Sequence, residues 1–92
     1  MSYNIDLAAA RYTATRVCAA TYDVVAYQIG PQAFSDLHYS CYQILATLNA
    51  AITAASTTAA IGAAISTFNT DLADFASANS FTAPIPVDPT GL

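Results

Sequence analysis

The chain contains no lysine, no glutamate and no tryptophan, and its only arginines are Arg11 and Arg16. Six aspartates against those two cations give a net charge of −4 and a pI of about 4.1. That leaves no electrostatic footprint for a phosphate backbone, so nucleic-acid binding is excluded as the main role. Helical domains usually coat themselves with Lys and Glu. Here the wet faces must be built from Ala, Ser, Thr and amides, a surface poorly protected against self-association. The two cysteines form no disulfide framework. Met1-Ser2-Tyr3-Asn4-Ile5-Asp6 lacks the basic stretch and apolar core of a signal peptide, so synthesis in the cytoplasm without Sec export is expected.

Catalytic signatures are equally scarce. There is no Gly-rich oxyanion turn and only one histidine. Asp36, His38 and Ser40 are sequence neighbours, but on a helix their directions diverge by about 200° at each step, so they make no triad. No enzyme activity and no cofactor are expected. Between Asp36 and Asp71 the chain has no Lys, Arg, Asp or Glu, and His38 is its one ionisable basic side chain. That length is enough to span a bilayer, yet it is filled with Ala, Thr, Ser, Asn49 and Asn69 and has no basic flanks, so membrane spanning is the weaker reading.

What is present reads as all-α. Gly30 can take the left-handed conformation that closes a helix, and Pro31 suits a first helical turn, so Ile29-Gly30-Pro31 is the expected bend of an antiparallel helical hairpin. The first helix, about 4–29, puts Tyr3, Leu7, Ala10, Ala14, Val17, Cys18, Thr21, Val25 and Ile29 on one face. The second, about 32–55, opens at Pro31 or with Ser35 as N-cap and carries Phe34, Leu37, Cys41, Ile44, Leu45, Leu48, Ile52 and Ala55. A third, about 58–78, carries Ile61, Ile65, Phe68, Leu72 and Phe75. Its stripe lies roughly 140° from that of the second helix when both are extrapolated along one axis, so a break at residues 56–58 is expected. One continuous second helix is the alternative. Gly62, among alanines, allows another backbone to approach closely. Asn79 can close the third helix in the left-handed conformation. Residues 81–92 hold Pro84, Pro86 and Pro89 and should form an extended arm beside a helical domain of residues 1–80. The arm is apolar at Phe81, Ile85, Val87 and Leu92, which argues that it docks.

Candidate sites follow from the hairpin geometry. Equal counts from the bend set Cys18 level with about Cys41, as a pair of buried free thiols or a disulfide. Asp23 comes level with His38 as a register pair across the bend. A metal site from Cys18, Cys41, His38 and Asp23 is conceivable but lacks the Cys-x-x-Cys spacing that would specify one. Tyr12, Tyr27, Tyr39 and Tyr42 point away from the main stripes with Arg16 among them. Tyrosine and arginine supply large contact area with a polar tip, so these residues and the arm's Phe81, Ile85, Val87 and Leu92 form a candidate interface.

The Ala-rich hairpin resembles, in composition and form, small helical-hairpin proteins exported by type VII secretion. It has no Trp-x-Gly turn, no Pro-Glu near the start and no tyrosine followed four positions later by an acid, so membership is not inferred. The expected function is that of a structural assembly protein. Such a helical subunit would join copies of itself or a larger structural partner, as in a virion, tail, capsid-decoration layer or filament, a viral role reached by analogy. A membrane-associated protein packing through its uncharged segment is the alternative, and a small metal-binding bundle a third reading.

Overall fold

A computed structural model describes residues 5–30 and 35–90. Among them lie three helices, α1 (Ile5–Ile29), α2 (Asp36–Ala54) and α3 (Thr58–Ala78), and no strand. Arg11, near the start of α1, reaches the end of α2, while Gln28, near the end of α1, reaches Thr82 just past α3. The helices therefore run up, down and up, and each packs on the other two.

The helix ends follow from local chemistry. Gly30 sits at φ +87°, and its N–H donates to the Tyr27 carbonyl at 3.3 Å, which closes α1. The second helix opens later than Pro31. Ser35 is its cap, in extended backbone with its hydroxyl accepting from His38 N–H at 3.1 Å, and helical geometry starts at Asp36. Residues 31–34 lie outside the described residues. The break between α2 and α3 is real: Ala55 is extended, and the Thr57 hydroxyl accepts from Ala60 N–H at 3.1 Å to start α3.

The end of α3 departs from the expectation in one residue. The left-handed position is Ser80, at φ +58°, and Asn79 is the cap before it. Phe81 N–H donates to the Ala76 carbonyl at 2.8 Å and Ser80 N–H to Ser77 at 3.2 Å, the paired bonds of a Schellman ending. The hydrophobic contact that accompanies this motif is Phe75 against Phe81, with ring centroids 6.2 Å apart.

The core is assembled from one stripe per helix. Leu7, Ala10, Ala14, Cys18, Tyr22 and Val25 come from α1, Cys41, Leu48 and Ile52 from α2, and Ile61, Ile65, Phe68, Leu72 and Ala76 from α3. Leu37, Ile44 and Leu45 of the expected α2 stripe are only half-buried. The small α1 side chains let the helices approach closely, and the result is a thin slab of 48 × 23 × 15 Å. Its radius of gyration is 13.8 Å, against about 12 Å for an ordinary globule of this length. A slab this thin leaves the outer face of every helix in water, which is where a functional surface must be sought.

Residues 81–90 adopt neither helix nor strand and lie along the helices. Two side-chain amides clamp them. Gln28 accepts from Thr82 N–H at 2.8 Å and donates to its carbonyl at 2.9 Å. Asn69 does the same for Val87, at 3.0 and 2.8 Å. Each clamp satisfies a residue that, unlike the neighbouring prolines, has an N–H to lose. Gly62 provides the close approach: a β-carbon there would stand 2.8 Å from the Pro89 carbonyl oxygen.

Candidate interaction surface

Four of the seven exposed large hydrophobic residues among the described residues lie on the outer side of α1. Tyr27 and, on the C-terminal segment, Ile85 are each 89% exposed, Tyr12 is 65%, and Val24 and Val17 stand at 49% and 44%. Two shallow grooves run along this face and share Val17 and Ala20. One, about 390 Å³, is bounded by Tyr12, Thr13 and Arg16; the other, about 430 Å³, lies between Val24 and residues Ala83, Pro84 and Ile85. Val17 thus leaves the core stripe expected for it. It sits one residue, about 100° of helix, from fully buried Cys18, and it faces the groove instead.

Arg16 and Arg11 have opposite fates. Arg16 is exposed, its guanidinium 5.6 Å from the centroid of the Tyr12 ring and donating to the Tyr12 hydroxyl at 3.3 Å. Arg11 turns inward. Its Nε donates to the Ile52 carbonyl at 3.2 Å and its terminal nitrogen to the Ala55 carbonyl, so a cation caps the C-terminal end of α2. Nothing local in the sequence marks this role for Arg11, because its partners lie 41 and 44 residues away. Tyr39 and Tyr42, on α2, are exposed as expected.

Of the remaining candidate residues, Phe81 is half-buried against Phe75, Val87 is buried on the helices and Leu92 lies outside the described residues. Phe81 and Val87 are occupied within the chain, so Ile85 is the apolar side chain this segment leaves open. Asp23 and His38 do not form the expected register pair: among the described residues no hydrogen bond or ion pair joins them. No group of three His, Cys or Asp side chains is placed to hold a metal ion among the described residues. A groove of about 290 Å³ between α2 and α3 is lined by Ala and Thr side chains with Ile44, Leu48 and Phe68, and Asp71 is its one charge, so it offers no acid–base pair.

Both thiols are free and fully buried. Burial pushes Cys18 from 9.0 up to about 11, and burial raises Cys41 as well, partly offset by the nearby Tyr22 hydroxyl. Tyr22, left unplaced by the sequence reading, is buried beside Cys41. Its hydroxyl is raised from 10.0 to about 12, first by burial and then by the thiol. That hydroxyl is enclosed without a well-formed hydrogen bond. The Cys41 thiol is at best a weak partner for it, and a buried hydroxyl left largely unsatisfied costs about 1–3 kcal/mol, so Tyr22→Phe should stabilise the fold by about 1 kcal/mol. In a thermal melt this reads as a midpoint raised by about 4–8 °C. A lowered midpoint would mean that the hydroxyl has a partner.

The same groups set an alkaline limit. Each holds its proton more tightly folded than unfolded, so the unfolded chain ionises first as pH rises through 9.0, and stability is lost up to about pH 11 for Cys18. The unfolding free energy from urea titrations should fall between about pH 9 and pH 11, by ~1.4 kcal/mol per pH unit from Cys18, with Cys41 acting in the same direction and Tyr22 joining above its ordinary 10.0. Alkaline midpoints equal to those at neutral pH would contradict the burial of the thiols.

The chain matches no family model, no curated protein and no solved structure.

Proposed function

We propose that this chain is a structural assembly protein, a small helical subunit that joins copies of itself or a larger structural partner to build a particle or filament. The observation that carries this reading is the α1 face, where Tyr27 is 89% exposed and Val17 and Val24 line a groove with Ile85, itself 89% exposed, on a chain without Lys or Glu. Large apolar side chains grouped in this way mark contact surfaces, and the charges that would keep such surfaces apart are missing. The C-terminal arm contributes Ile85 to that surface while its own ends are clamped by Gln28 and Asn69, which limits the entropy lost on contact. A virion, a tail or a decoration layer on a capsid is the kind of particle this chemistry suits, by analogy alone. No reaction, cofactor or nucleic-acid partner is assigned. Among the described residues no helix is long and apolar enough to cross a membrane.

The test is a pair of polar substitutions on that surface, Tyr27→Ser with Ile85→Ser. Sedimentation should show smaller assemblies than the parent chain while far-UV circular dichroism keeps its helical signal. Unchanged assembly size would contradict the role given to this face.

A further inference from the structure

The outer face of α1 carries more than exposed apolar area, because its residues are arranged to match a second copy of themselves. Thr13, Val17, Ala20, Val24 and Tyr27 recur at spacings of four and three, the seam of a two-helix contact, with Ala20 at the middle. All five except Thr13 and Ala20 are large, and the small central residue lets two helices approach. Arg16 and Asp23 are seven residues apart, so they share one flank of that seam. Both are exposed, and neither has an ion pair within the chain among the described residues. The other flank carries no charge: Thr21 and Gln28 stand there, and Ile85 lies in the groove beside Thr21 and Val24.

We propose that α1 pairs with α1 of a second copy, antiparallel, about a two-fold axis near Ala20. This rests on the assembly reading and names its partner and geometry. In an antiparallel pair, equivalent flanks of the two helices face each other, and a two-fold contact is reciprocal. Arg16 then meets the partner's Asp23, and Asp23 meets the partner's Arg16, on one side of the seam. Val17 meets the partner's Val24 within the seam, with Ile85 covering its other edge. A parallel pair would instead set the charged flank against the uncharged Thr21 and Gln28 and leave both ions unpaired. Charge complementarity therefore selects the antiparallel arrangement.

The experiment is charge exchange in the full chain, followed by sedimentation equilibrium. Arg16→Asp and Asp23→Arg should each weaken self-association by about tenfold or more, because both reciprocal pairs become like-charge contacts. Mixing the two variants, or combining them in one chain, should restore wild-type association. Both positions are exposed, and circular dichroism checks that the variants fold. As a second readout, Ala20→Cys should form an intermolecular disulfide with itself under mild oxidation, since the residue faces its own copy across the axis. Single variants that associate like the parent, mixtures that fail to recover, or an Ala20→Cys chain that stays uncrosslinked would overturn the antiparallel pairing while leaving assembly through another face intact. A wild-type chain that remains monomeric would overturn both.

Discussion

Replacing Phe68 with alanine is expected to cost about 3–5 kcal/mol, the largest loss from any single truncation in this fold. Phe68 is the largest of the fully buried side chains and sits where α3 meets α2, near Leu48 and Ile44. Its α3 neighbours Ala60, Ala63 and Ala64 have no length with which to fill the hole, so the cavity cannot collapse cheaply. A domain of this size is held by only about 5–14 kcal/mol in total. A large part of that would be removed, and the thermal midpoint should fall by at least about 12 °C. Urea denaturation with an unchanged slope is the measurement, and a loss under about 1.5 kcal/mol would mean that the α2–α3 seam is looser than described.

Arg11→Met should cost about 2 kcal/mol, a large effect for a residue that touches no other charge. The methionine keeps most of the apolar stem but loses both donors to the Ile52 and Ala55 carbonyls. Those carbonyls belong to the last turn of α2, where no Lys, Arg or His of the helix itself is present to offset the dipole. Arg11→Lys should recover part of the loss, since it restores a cation without the planar fork. Guanidinium or thermal unfolding of the three chains side by side is sufficient. Equal stability of the Met variant and the parent would show that the α2 end is satisfied by water.

The parts of this fold that were legible in the sequence are those set by local chemistry. Gly30 ends α1 because only a left-handed residue fits there, and Thr57 restarts the chain because the apolar stripes on either side of it point in different directions. The close approach at Gly62 was also visible as a gap among alanines, although not its occupant, the Pro89 backbone. The errors share a cause. Arg11, Gln28 and Asn69 bond residues far away in sequence, and no periodicity announces such partners. Val17 was misplaced because a stripe of alanines defines the buried face of α1 only loosely, so its edge shifts by one residue without penalty. The expected Asp23–His38 pair came from counting residues outward from Gly30, but α2 starts at Asp36, which moves the register of everything after it. Of the surface, the outward tyrosines and Arg16 were readable. The valines beside them, and Ile85 as the exposed large apolar side chain among residues 81–90, required the packing.

Self-association of the unmodified chain is the claim on which the functional reading depends, and sedimentation velocity over a range of concentrations, with and without reductant, tests it most directly. A discrete oligomer whose size ignores reductant is expected, because the proposed contact is the apolar α1 face and both thiols are buried and free. A single monomeric species at every concentration would contradict it.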